Sequence, residues 1–354
     1  MRFRISAANT TVGIAGGRIV PPTGPFDAEL RIPDGVLRPG LINPHEHLHR
    51  NHYGRLGDPP YANAYQWGVD IHARHGSAIA RGRAVPRREA LLCGAWKNLL
   101  SGVTTVVHHD RWEPDFDDGF PVRVARIRSA HSLGLESDLA ASATGDGPFA
   151  IHLAEGTDWP AAEEVRHLAR LGLLTPELLA VHVVGVDPDG VRRLRGCGAA
   201  VVWCPSSNQF LFGVTAPAEL LAPGIDVLVG SDSRLTGVGT LLDELRVARH
   251  AGFVSDDRLL DSVGAVAARR LGLPEPSLAV GAPADLVVFR RPVFEASAED
   301  VALVVVAGVP RAMDPMLVPV NGSWSHLGRL LERDGVVRWV IDSGVDLPCN
   351  ASSV

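Results

Sequence analysis

Between residues 40 and 280 the chain alternates two textures: short apolar runs, and amphipathic stretches rich in Ala, Leu and Arg. The runs are LINPHEH (41–47), GVTTVVHH (102–109), VRVARIRSAH (122–131), PFAIHLAE (148–155), LLAVHVVG (178–185), AAVVWCPSS (199–207) and DVLVGSDS (226–233). Helix candidates intervene at 86–100, 160–172 and 239–252. Buried parallel strands read as unbroken apolar runs because both faces are covered, and their alternation with helices implies βα units. Repeated over about 240 residues, such units predict an α/β fold, the (β/α)8 TIM barrel, for which about 250 residues is typical. VRVARIRSAH carries the third strand almost into the fourth, so the barrel is expected to be shortened near strands 3–4. A long loop is expected over 50–85.

The two ends have a different pattern. Residues 1–39 hold short, partly alternating segments broken by Gly and Pro, and strand-like runs return after 280 (GAPADLVVFRRP, DVALVVVAGVPR). The expected organisation is a barrel over 40–279 flanked by a small β-sandwich made of 1–39 and 280–354, the latter including a C-terminal extension. That extension contains one amphipathic helix candidate, SHLGRLLERDG (325–335), and two Asn-x-Ser sequences at Asn321 and Asn350.

Composition narrows the function classes. Hydrophobic residues at 46% and charged residues at 21% are an ordinary globular balance. A net charge of −6 lacks the basic footprint of a nucleic-acid binder. No apolar run is long enough to span a bilayer, and the first residues lack the apolar core of a signal peptide, so a cytoplasmic protein is expected. Cys93, Cys197, Cys204 and Cys349 form no CxxC pair, which suits free thiols in a reduced compartment. Lys97 is the only lysine in the chain. Neither a GxGxxG nor a GxxxxGK[ST] phosphate-binding motif occurs in the required setting.

The chemistry concentrates at strand ends. His45 and His47 are two apart, so on a strand they face the same way. An HxH alone is a weak signal. His152 closes the run at 148–155, His182 follows 30 residues later, and Asp232 comes 50 residues after that. A βα unit of an eight-fold barrel averages about 31 residues. His152 and His182 therefore fall on successive strand ends and Asp232 two strands further on, all at the C-terminal mouth where sites of this fold lie. Three imidazoles and a carboxylate converging there suit zinc or ferrous iron with a position left for water.

In order, PGLINPHEHLH, IHLAE, AVHVVG, WCPSSN, GSDS and GAPADLVVF resemble the mononuclear deaminase and chlorohydrolase branch of the amidohydrolase superfamily, from about residue 38 to 290. That branch includes cytosine, guanine and S-adenosylhomocysteine deaminases and the triazine hydrolases. The resemblance implies that His45, His47, His152 and Asp232 hold one divalent metal, zinc in the first place and iron as the alternative. It implies that Asp232 also holds the attacking water, that Glu155 shuttles protons and that His182 steadies the developing charge. Such a metal lowers the pKa of its water from 15.7 to about 7. Binuclear relatives bridge two ions with a lysine on the fourth strand. Lys97 falls in a helical stretch before the second strand, so one ion per chain is expected. The segment SDSRLTGVGT departs from the Asn-rich stretch common after the metal aspartate.

His109, His131 and Arg234 are expected to touch a small-molecule substrate, and Trp67 lines the pocket or anchors its loop. His49, His52, His72 and His75 crowd the loop after the first strand. Cys204 reads as a packed thiol, and Ser206 and Asn208 as structural parts of a turn. A homodimer is the commonest assembly for such a chain. Hydrolytic deamination of a heterocyclic or amidine-like carbon is the leading expectation. Ring opening of a cyclic amide or imidazolone, or loss of another leaving group, is the alternative on the same site. An inactive ligand-binding or assembly protein is the alternative of another class.

Overall fold

The computed structural model describes residues 2–117, 119–318, 328–333 and 335–341. Asn321, Asn350 and Cys349 lie outside them. The N-terminal segment forms β1 (Arg2–Ala7), β2 (Thr11–Ala15), β3 (Arg18–Val20), β4 (Ala28–Ile32) and β5 (Val36–Pro39). Eight strands follow: β6 (Leu41–Glu46), β7 (Val103–His108), β8 (Arg123–Val124), β9 (Arg128–Ser132), β10 (Phe149–Leu153), β11 (Leu178–His182), β12 (Ala200–Trp203) and β13 (Asp226–Val229). The last group is β14 (Leu286–Phe289), β15 (Val301–Val306), β16 (Val309–Met313), β17 (Gly328–Arg333) and β18 (Val336–Ile341).

The eight central strands make two parallel sheets, β6-β7-β8 and β13-β12-β11-β10-β9. Every residue of β6, β7, β10, β11 and β12 is buried, as their unbroken apolar texture requires. Ile42, Val107, Ala150, Leu179, Val181, Val202 and Leu228 meet in one cluster, so the two sheets share an interior. Their neighbours Val106, Ile151, Ala180 and Val201 join a second cluster with helix residues such as Leu91, Leu168 and Leu245. The Asp232 N–H donates to the His45 carbonyl at 3.1 Å and ties the end of β13 to β6.

The helices Arg87–Leu99, Trp159–Arg170 and Leu241–Ala251 form where amphipathic spacing predicts them. Asp158 caps the second and a Thr240–Asp243 capping box starts the third. Only residues 125–127 separate β8 from β9, in line with the shortened region near strands 3–4.

Two expectations need correction. The loop expected over 50–85 contains helices Ala64–Arg74 and Gly76–Arg83, the first capped by Asn63, whose side chain accepts the Gln66 N–H at 2.9 Å. Few of their residues are buried, so the apolar stripe that announces a helix is thin. The helix candidate at 325–335 is instead strand β17 over its described part, paired antiparallel with β18. Leu331 packs on the core while Leu330 is 62% exposed, a period of two. Pairing in the sheet outweighs the helical preference of Leu, Glu and Arg.

The terminal strands build two sheets, β3-β2-β1-β4 and β17-β18-β16-β15-β14-β5. Phe3, Ile5, Ile14 and Leu30 of the first share a buried cluster with Leu286, Val288, Leu303 and Met313 of the second.

Candidate active site

The strands that carry the histidines are irregular where those residues sit. Register between β6 and β7 shifts between Asn43 and Glu46, and between β10 and β9 it shifts at Ile151/His152. Such breaks re-aim side chains near sites. Beyond β13 the chain passes so close to β6 that a Cβ on Gly230 would lie 2.7 Å from the His45 Cβ, and only glycine allows that approach.

His45, His47 and His152 converge, with ligand nitrogens all within 4.8 Å of one another. The Nε2 atoms of His47 and His152 are 3.4 Å apart. The His152 Nδ1 lies 2.6 Å from the His131 carbonyl. A carbonyl only accepts, so Nδ1 carries the proton and the Nε2 lone pair points inward. Asp232 Oδ1 is 3.7 Å from His47 Nε2 and 3.9 Å from His45 Nε2. Among the described residues neither buried ring nitrogen of His45 has a hydrogen-bond partner, a costly arrangement unless something else binds them. Burial first, and the crowd of neighbouring imidazoles second, joined by Arg50 for His45 and His47, hold all three histidines well below the ordinary imidazole range, so they are neutral donors. Three neutral imidazoles and one carboxylate fit a divalent ion of the zinc type.

Asp232 is fixed from behind. Ser207 Oγ and Thr236 Oγ1 each donate to its Oδ2 at 2.8 Å, and the Ser233 N–H donates to Oδ1 at 2.8 Å. His182 is fixed likewise: its Nδ1–H donates to Asn208 Oδ1 at 2.8 Å, leaving the Nε2 lone pair 3.5 Å from Glu155 Oε1. Burial pushes the Glu155 carboxyl up to about 7, against the opposing pull of His182. A carboxyl group poised there can both give and take a proton near neutrality. Ala154, with φ +51°, turns the chain to present Glu155, and its N–H donates to Glu164 at 2.7 Å.

A cavity of about 990 Å³ opens over these groups, lined by His47, His152, Glu155 and Asp232 at its floor. Its walls include Tyr53, Tyr65, Trp67, Ile71, Leu135 and Leu235, together with Arg50, Arg83 and Arg87. His131 lines it as expected, as do His49 and His72. His109 and Arg234 are not among the residues that line this cavity. His109 is packed beneath, its ring centroid 4.2 Å from that of His152 and its Nε2 bonded to the Ala130 carbonyl at 2.8 Å. The backbone N–H of Arg234 donates to Asn51 Oδ1 at 3.1 Å. Trp67 both lines the cavity and anchors the loop through Nε1–H to the Leu56 carbonyl. Burial drives the Cys204 thiol far up, as befits a packed, inert group. Ser207, Thr236 and the orienting role of Asn208 were missed; the CPSSN turn is the only sequence signal that pointed near them.

A fold of parallel strands ending in imidazoles and a carboxylate defines a class, and the comparison with known families agrees. The model described as the amidohydrolase family matches residues 130–311, just over half of the sequence. The chain belongs to that family. An aminodeoxyfutalosine deaminase of Deinococcus radiodurans is 39% identical over 79 residues, 22% of this chain and 19% of that protein. A 5-methylthioadenosine/S-adenosylhomocysteine deaminase of Nitratidesulfovibrio vulgaris is 30% identical over 233 residues, 56% of this chain and 51% of that one. The chain thus spans about half, or a fifth, of the length of these curated relatives. A solved adenosine deaminase from Xanthomonas campestris with bound zinc superposes with a TM-score of 0.67 at 17% identity, covering 90% of this chain and 94% of that one. At that identity the likeness shows a shared fold and nothing of activity, and the two parallel sheets of this chain agree with it. No described helix is long and apolar enough to cross a membrane.

Proposed function

We propose that the protein is a hydrolytic deaminase that releases ammonia from an amidine carbon of a small heterocyclic substrate, with one divalent metal, zinc first, held by His45, His47, His152 and Asp232. The observation that carries this reading is the Glu155 carboxyl, partly buried at the cavity floor, raised to about 7 and facing His182 Nε2 at 3.5 Å beside the histidine cluster. When bound, the metal supplies Lewis acidity and a nucleophilic water at neutral pH. With an ion bound, Asp232 would face it through Oδ1, which also accepts the Ser233 N–H, while Oδ2 is held by Ser207 and Thr236. Glu155 takes the proton of the water and passes it to the departing nitrogen. His182, held as its Nδ1–H tautomer by Asn208, offers its Nε2 lone pair as a hydrogen-bond or proton acceptor beside Glu155.

The cavity is far larger than a bare nucleobase needs, and its aromatic and aliphatic walls suit a substituted nucleoside. The relatives are named for adenosine derivatives, which points to an adenine-bearing substrate. The two terminal sheets, with their shared core, are proposed to form a small β-sandwich of residues 1–39 and 280–354 beside a 40–279 catalytic barrel.

The test is ammonia release by zinc-loaded protein from a panel of 5-methylthioadenosine, S-adenosylhomocysteine, aminodeoxyfutalosine, aminated pyrimidines, pterins and triazines. At least one compound is expected to turn over. Glu155→Gln is expected to keep its zinc and lose about 10²–10⁴-fold in kcat. Turnover of cyclic amides without ammonia release would replace deamination by ring opening.

A further inference from the structure

Of the 34 lysine and arginine residues, only Lys97 is a lysine. It is also among the largest fully buried side chains. A chain that uses arginine at every other basic position has kept an ammonium at this one. The difference is chemical: an ammonium is compact and offers three donors, where a guanidinium is a broad planar fork.

The surroundings use all three donors. Lys97 Nζ lies 2.7 Å from Glu46 Oε2, 3.1 Å from Ser231 Oγ and 3.2 Å from the carbonyl of Asp232. Glu46 stands between His45 and His47 on β6 and is itself fully buried. Its carboxylate also accepts from Asn98 Nδ2 and Asn51 Nδ2, each at 2.9 Å, and from Ser231 Oγ at 3.1 Å. Asn43 closes the ring: its Oδ1 accepts the Ser231 N–H at 3.1 Å, and its Nδ2 donates to Asn98 Oδ1 and Ser231 Oγ, each at 2.8 Å. Every member has partners, which is the condition under which a buried polar network rigidifies rather than weakens a core.

One side of this network is the strand that carries His45 and His47. The other is the turn that carries Asp232, whose backbone is left-handed at φ +49°. We propose that Lys97 is a positioning residue, an ammonium clamp that holds the Asp232 turn against the β6 histidines so that the four donors keep their spacing before an ion arrives. It touches neither the ion nor the substrate. The inference rests on the reading of those four residues as a metal site and is independent of which substrate is deaminated.

The experiment measures zinc affinity by competition with a chromogenic chelator in the parent, in Lys97→Met, in Glu46→Gln and in the double variant. Removing one partner of a buried ion pair strands the other charge, so Lys97→Met is expected to melt lower. The double variant removes that stranded charge and is expected to regain much of the melting temperature. It should still bind zinc at least fivefold more weakly, because the bond to the Asp232 carbonyl stays lost; outer contacts of this kind typically govern 10–100-fold. Glu46→Gln keeps Lys97 on that carbonyl and should stay within fivefold of the parent. A loss smaller than fivefold in the double variant, or in Lys97→Met if only that one folds, overturns the clamp. As a measurement on the unmutated chain, ¹³C-lysine labelling gives one lysine signal, expected to shift when zinc saturates the protein; a signal that stays put also overturns it. If the parent binds no zinc, the metal-site reading falls and the clamp with it, whereas a zinc-binding parent with equally zinc-binding variants removes the clamp alone.

Discussion

Asn208 shows how much a side chain that touches neither metal nor substrate can decide. Its Oδ1 selects the His182 tautomer by accepting the Nδ1 proton. Asn208→Leu removes that acceptor, and kcat is expected to fall about 10–100-fold with zinc content unchanged by elemental analysis. An unaltered kcat would mean that His182 needs no such support. The histidines and Asp232 were legible because strand-end position and βα spacing are local signals. Asn208 and Ser207 were not, because a hydrogen bond between residues 26 or 25 positions apart leaves no periodic trace. Glu46 and Lys97 are hidden for the same reason, their ion pair joining residues far apart in sequence.

Glu244 makes a pH-dependent statement at the same scale. It is buried against Ser206, which gives it both a backbone N–H and a hydroxyl contact, and burial raises its carboxyl to about 8. An acid whose folded pKa is raised binds its proton more tightly folded than unfolded. Its stabilising contribution is therefore complete at pH below about 4.5 and is lost as pH rises toward 8. The melting temperature is expected to fall through that window, and Glu244→Gln, an isostere of the protonated form, should flatten the fall. Equal slopes in parent and variant would show that Glu244 does not titrate there.

At the scale of elements, the helix Ala64–Arg74 serves the pocket rather than the core. Its start is pinned twice, by the Asn63 cap and by the Ala64 N–H donating to the Glu155 carbonyl at 2.9 Å. Asn63→Ala should cost about 1 kcal/mol of local stability. Amide exchange over 64–74 is expected to quicken, and KM to rise more than kcat falls. A quickening spread evenly over the barrel strands instead would mean the helix is not an independent unit. Such helices are hard to read because a helix facing a cavity has no reason to carry a continuous apolar stripe. β17 was hard for the opposite reason, since its residues favour a helix and only its partner β18 makes it a strand. Strands buried on both faces were the easiest, each being written as one apolar run.

The whole molecule carries its awkward backbone in one place. Among the described residues, five other than glycine have left-handed φ, and four of them, Ala154, His182, Val183 and Asp232, stand at the strand ends around the histidines. Each such residue costs on the order of 1–2 kcal/mol, against a total stability of roughly 5–15 kcal/mol for an ordinary domain. Three of the four are bound by chemistry or packing to remain as they are, while Ala154 has no polar side-chain group to lose. Ala154→Gly is expected to raise the melting temperature and yet to slow turnover, because the peptide that presents Glu155 gains freedom as it sheds tension; a variant that is both more stable and equally fast would contradict this. Selection for heat tolerance and selection for speed would thus pull this one position in opposite directions, and the alanine records which of them prevailed.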